Sequence, residues 1–186
     1  MNRTIPAVLA VLAALALYAP PTRPAQAAAA GDLVREAVID GPPGLVWRLL
    51  TTKRGMESWL APHADVDLRV GGLLRTHEDP SGKIGDPKTL VNTITAIKPG
   101  RLLSLRVEQA PEGFPFANFV VGTWYDILVD PAEKHRTRVR CVAHGFGTGP
   151  AVYAVRPVFE RGADAAFEQL AKAVAASAPG AAERRN

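Results

Sequence analysis

Apolar residues along this chain repeat at two different spacings, and the order in which those spacings alternate predicts the layout of the fold. DLVREAVID (32–40) alternates apolar and polar positions and reads as a strand, closed by the GPPG of Gly41 to Gly44. Pro42 and Pro43 suit a helix start, where a missing N–H costs little. LVWRLL and MESWL give two short helical pieces broken around Lys53 to Gly55, with Leu45, Val46, Leu49 and Leu50 on one face. Period two then returns in ADVDLRV, with Val66, Leu68 and Val70 on one side and Asp65, Asp67 and Arg69 on the other. Gly71 and Gly72 make the turn into a returning strand, LLRTHE, and DPSGKIGDP is a loop. Four further strands follow in TLVNTITAI, RLLSLRVEQ, VVGTWYDILV and RTRVRCVAHG. After Pro150, Phe167, Leu170, Ala171 and Val174 fall at i, i+3, i+4 and i+7, the stripe of an amphipathic helix. Pro157 and Gly162 are expected to bend or interrupt its first half.

Strand, two short helices, six strands and a long closing helix predict an α+β fold, a curved antiparallel sheet gripping a long C-terminal helix. One domain is expected over residues 32–178, followed by a disordered tail at 179–186. A strongly curved sheet closed by one helix leaves an interior space, and such spaces suit small apolar guests.

The first 27 residues change the picture of charge and location. Arg3, the apolar run from Ile5 to Tyr18, and small residues at Ala25 and Ala27 compose a cleavable signal peptide. The run is shorter than the roughly 20 apolar residues a membrane span needs, and it ends at Pro20-Pro21. No cysteine stands at the cleavage position for a lipid anchor, so the mature protein is expected to be secreted or periplasmic, with no stable membrane anchor. Removing Arg3 and Arg23 leaves 20 of the 22 basic residues against 18 acidic ones, so the charge falls from +4 to +2. That balance offers nothing for nucleic acid. At 47% hydrophobic and 22% charged residues, the composition excludes a disordered or fibrous chain. The single cysteine, Cys141, cannot form an internal disulfide.

Several words in this order resemble the SRPBCC superfamily, the START-like helix-grip fold of birch-pollen-allergen-like proteins, lipid-transfer domains and polyketide cyclases. They are PPGLVWRLLTT (42–52), MESWLAP (56–62), DLRVGG (67–72), ITAIKPGRLLSL (94–105) and TRVRCVAHG (137–145). The chain looks most like the branch of the heat-shock ATPase activators, the AHSA-like domains. The resemblance covers nearly the whole expected mature chain and implies a cavity between sheet and closing helix, in a superfamily that holds binding proteins, enzymes and cochaperones. One feature departs from it. Where such proteins often carry a glycine followed by tryptophan near the closing helix, this chain has Gly162 and Ala163. An indole contributes some 200 Å² of contact; either Trp124 or Phe159 fills the gap, or the interior is wider.

Candidate chemistry is sparse. In LLRTHE, Leu74, Thr76 and Glu78 share one parity, matching the inward set implied by the resemblance, which leaves Arg75 and His77 on solvated outer surface. His63, His77, His135 and His144 form no His-x-His, His-x-x-x-His or Cys-x-x-Cys pattern, so no metal site is expected. Cys141 lies mid-strand with Val139 and Ala143 and packs as a small hydrophobe. Ser58, Ser81 and Ser104 lack a nucleophile-elbow context. Glu78, Asn92, Tyr125, Asp126 and His144 are the groups left for acid–base work in a shared cavity, or for orienting a ligand. Lys134, Arg136, Arg138 and Arg140 alternate and belong on the outer face. Trp47, Trp59 and Trp124 read as core.

The expectation is therefore an exported domain that binds a hydrophobic or amphipathic small molecule or lipid, with no cofactor and no catalytic residue identified. Leu74, Thr76, Asn92, Tyr125 and Phe167 are the expected lining. The alternatives are a cyclase- or hydrolase-like enzyme acting on a hydrophobic substrate in the same cavity, and a protein-interaction module of the cochaperone kind.

Overall fold

The structure, a computed structural model, describes residues 31–177; the signal segment expected at 1–27 and the tail at 179–186 lie outside them. Seven strands form one antiparallel sheet: β1 (Leu33–Ile39), β2 (His63–Val66), β3 (Leu73–His77), β4 (Leu90–Lys98), β5 (Leu102–Gln109), β6 (Trp124–Pro131) and β7 (Thr137–His144). Their order is β1-β7-β6-β5-β4-β3-β2, so β1 and β2 are the two edges. Two short helices, α1 (Pro43–Thr51) and α2 (Lys53–Glu57), follow β1, and a 27-residue helix α4 (Pro150–Ala176) closes the chain. The α+β helix-grip layout expected from the sequence is the one found.

Local chemistry explains each break. Pro43 opens α1 behind Pro42. The α1–α2 break falls at Thr52, which is extended and whose hydroxyl accepts the Gly55 N–H at 3.1 Å. Gly55 is required there, because a Cβ would lie 2.4 Å from the Arg48 carbonyl oxygen. Trp59 ties the two helices together by donating its indole N–H to Leu49 at 3.0 Å.

Four local expectations are corrected. β2 ends at Val66 rather than Val70, because Asp67 to Gly72 coil into successive turns whose N–H groups bond back to Asp67, Arg69 and Ile94 carbonyls. Leu68 and Val70 are consequently exposed, Val70 by 62%. A one-turn helix α3 (Ala117–Val120) forms inside the expected loop and strand at 114–123, and β6 starts only at Trp124. Finally, α4 runs through Pro157 and Gly162 without interruption.

Apolar side chains on the inward face gather in three clusters of buried residues, the first two bridged by Trp47 and Ile127. Ile39, Val129 and Val139 pack with Val46, Leu49 and Leu50 of α1 and with Leu170, Ala173 and Val174 of α4. Met56, Ala64, Leu74, Ile94, Leu103 and Leu105 form the second beneath α2. Leu33, Ala143 and Val152 form the third at the N-terminal end of α4, with Tyr125, Phe146 and Phe159 against it. A domain of this size ordinarily has one contiguous core. Here α4 is held by apolar contacts at both ends, and its middle is bridged to the β1 edge by Arg35, which grips Asp164 through bonds of 2.5 to 3.0 Å.

Candidate functional site

Between the first and third clusters the middle of α4 crosses the inward face, where Arg35 meets Asp164. Strand register orders the side chains of that face: Leu105 faces Tyr125, Tyr125 faces Ala143 and Ala143 faces Leu33, while Leu103, Ile127, Cys141 and Arg35 form the next row. Tyr125, Ile127, Cys141 and Arg35 are central to the inward face, yet each is only half-buried. Cys141 sits deep enough that burial, with a smaller push from Asp126, raises its thiol to about 12.

The helix carries small residues over this stretch. On α4, Phe159, Ala163, Ala166, Phe167 and Leu170 share one stripe by helical spacing, and its middle holds two alanines. Opposite them the sheet offers Cys141 and Ala37. The indole absent at Ala163 is compensated from one side. Phe159 stacks on Tyr125, ring centroids 6.3 Å apart and planes 17° from parallel. Burial raises the Tyr125 phenol, and the Thr123 hydroxyl pulls it partly back.

At the N-terminal end of α4 a pocket of about 360 Å³ opens to the surface, walled by Asn118, Phe119, Thr123, Phe146, Val152 and Val155 among others. A second, of about 490 Å³, lies at the opposite end, between Pro42, Leu45 and Arg48 near α1 and Val174 of α4.

The five expected lining residues divide. Phe167 packs against the first cluster and Tyr125 against the third. Leu74 is packed in the second cluster, and Thr76 and Asn92 are buried on the same inward rows, where Leu74 faces Asn92 and Thr76 faces Leu90. Neither of the two pockets is walled by any of the five. Ile127, Cys141 and Phe159 were legible from strand parity and helical spacing but were not singled out. Thr123 and Phe146 had no such signal, since both stand in the turns that flank β6 and β7.

Two of the polar groups expected in the cavity, Asp126 and His144, are placed elsewhere. Asp126 and His144 share the outer face of the sheet with Ser104. Ser104 donates to Asp126 at 2.5 Å, the His144 Nε2 lies 3.5 Å from Asp126, and its Nδ1 lies 3.0 Å from Asp32. Trp124, expected in the core, lies 43% exposed on this face and stacks on His144 at 5.2 Å. Ser104 bonds a carboxylate rather than an imidazole, which departs from the serine–histidine pairing of a nucleophilic site. Arg138, on the same outer face, pairs with Glu36 at 3.0 Å.

His77 is also corrected. Its parity is outward as expected, but it is only 1% exposed. The 78–89 loop folds back over it: Gly82 lies flat against the ring, where a Cβ would meet Cε1 at 2.0 Å, and Asp86 takes Nε2 at 2.8 Å. Nδ1 accepts the Asp79 N–H at 3.1 Å. Arg75 beside it pairs with Asp65. This His77 is a fastener for the loop. Among the described residues no group of three or more His, Cys, Asp or Glu side chains is arranged to hold a metal ion, and no helix is long and apolar enough to cross a membrane.

A curved seven-stranded sheet gripping one long helix defines the helix-grip class. The chain belongs to the family described as polyketide cyclase / dehydrase and lipid transport, whose model matches residues 30–175. Solved structures share the fold. Protein MLL2253 from Mesorhizobium loti has 23% identity and a TM-score of 0.63, over 80% of this chain and 99% of that one. The Aha1 dimer from Colwellia psychrerythraea has 15% identity and a TM-score of 0.56, over 77% and 95%. The AHSA1-like protein from Aeromonas hydrophila has 15% identity and a TM-score of 0.57, over 78% and 93%. No curated protein matches the sequence.

Two outcomes follow from the titrating groups. Asp79 is lowered by the Ser81 hydroxyl and N–H; at Asp86 burial pushes upward, but the Lys83 and Lys88 N–H groups and His77 outweigh it. Carboxylates lowered in the folded state stabilise it above their unfolded value, and that contribution is lost as pH falls through the folded value. Amide exchange in the 78–89 loop is therefore expected to accelerate below the ordinary aspartate value of 3.8 before the sheet does; simultaneous exchange of loop and sheet would contradict this. The raised Cys141 thiol is expected to react with iodoacetamide at pH 8 roughly a thousandfold more slowly than an ordinary cysteine. Alkylation within tenfold of a free thiol, roughly the scatter of such rates, would contradict it.

Proposed function

We propose that this chain is an exported carrier that holds an apolar or amphipathic small molecule in the gap between the sheet and the middle of α4. The observation that carries the reading is that Tyr125, Ile127 and Cys141, at the centre of the inward face, are only half-buried. Family membership supports a ligand-binding role, since the matching family is described as including lipid transport. Burying about 300 Å² of apolar ligand surface is worth roughly 7 kcal/mol before ordering costs, enough for useful affinity without a charged anchor. The placement of Asp126 and His144 on the outer face disfavours the enzyme reading, because it removes both from any substrate in the gap. Export is supported by the signal-like residues 1–27.

Fluorescence titration with cis-parinaric acid methyl ester tests the binding. The wild type is expected to bind it, and Cys141→Leu to weaken it about tenfold while changing unfolding free energy by less than about 1 kcal/mol, because the added atoms enter empty space. Were the centre solidly packed, the same substitution would cost about 1–3 kcal/mol and no probe would bind. For export, N-terminal sequencing of the mature protein from a bacterial periplasmic fraction is expected to start after Ala27; an intact Met1 would refute it.

A further inference from the structure

The carrier reading leaves open how a ligand reaches a gap beneath a helix fixed at both ends, and one feature answers that. The pocket of about 360 Å³ lies at the start of α4, the end of the helix where Tyr125 and Phe159 pack. Thr123 in its wall precedes Tyr125 by two residues on the same inward face, and Val155 precedes Phe159 by one helical turn. The Tyr125–Phe159 pair thus stands between the pocket and the half-buried row of Ile127 and Cys141.

Three observations make that pair movable rather than fixed. Ring centroids 6.3 Å apart in nearly parallel planes lie at the loose end of aromatic stacking. Phe159 is two residues beyond Pro157, which has no N–H to give the Tyr153 carbonyl, so α4 is weakened between the pocket wall and the ring. The opposite wall, α3, is one turn long, has no side-chain cap, and leaves Phe119 49% exposed. By contrast, the β1 side of the gap is closed by the Arg35–Asp164 pair.

The mouth also has a chemical bias. None of the residues walling the pocket is charged, and its polar side chains are Asn118 and Thr123. A carboxylate placed there would lose hydration without meeting a cation, whereas a hydroxyl, ester or amide would find hydrogen-bonding partners.

We infer that the Tyr125–Phe159 pair is the gate through which an amphiphile passes from the α3 pocket into the gap, its uncharged polar end remaining at Asn118 and Thr123. Stopped-flow binding of cis-parinaric acid methyl ester and of the free acid tests this on the wild type, Phe159→Ala and Val152→Trp, each checked for a native melting transition. With Phe159→Ala, association and dissociation are both expected to accelerate at least about fivefold, with Kd moving less than either rate. Val152→Trp is expected to slow association, and the free acid at pH 8 to bind about tenfold or more weakly than the ester. Rates unchanged in both variants while the ester still binds would overturn the gate and leave the carrier reading standing. Equal affinity for acid and ester would overturn the uncharged mouth. If no variant binds either probe, the carrier reading itself fails, and the gate with it.

Discussion

The long helix α4 is fastened to the sheet by apolar clusters at its two ends and by the Arg35–Asp164 pair at its middle, and the proposed site depends on that distribution. At one end Leu170 and Val174 enter the cluster of Ile39, Val129 and Val139. At the other, Val152 meets Leu33 and Ala143. A 27-residue helix is about 40 Å long, so the stretch between those clusters spans several turns. Its inward stripe there carries Ala163 and Ala166 between Phe159 and Phe167.

The division of chemistry between the two faces of the sheet follows from strand parity. The inward face carries apolar and small residues, with Arg35 neutralised by Asp164. The outward face carries the Ser104, Asp126, His144 and Asp32 chain, spread over β5, β6, β7 and the residue before β1. The polar groups that invite a catalytic reading are thus on the opposite side of the sheet from Tyr125, Ile127 and Cys141.

Much of this was legible in the sequence. All seven strands, the two short helices and the closing helix follow from period-two and period-3.6 spacing, because each has one face against the interior and one against water. Parity also assigned Leu74, Thr76, Tyr125 and Cys141 to the inward face. What failed was solvation and local backbone form. His77 points outward as its parity requires, but nothing in LLRTHE reveals that a loop with Gly82 at its tip folds back over it. Asp126 and Trp124 belong to the outward rows, a fact available from their alternation with Tyr125 and Ile127 but outweighed by their residue types. Helix α3 is a single turn held by backbone bonds, too short to imprint a period, and the pocket beside it was hidden for the same reason.

The most direct test of a guest held beneath the middle of α4 is an isotope-filtered NOE experiment. It pairs unlabelled cis-parinaric acid methyl ester with protein carrying labelled Ile and Val methyl groups. Cross-peaks from the ester chain to Ile127 and Val155, with none to Ile39 or to Val34 on the outer face, are the predicted result. Contacts confined to the outer face, or to the pocket between α1 and the end of α4, would contradict it.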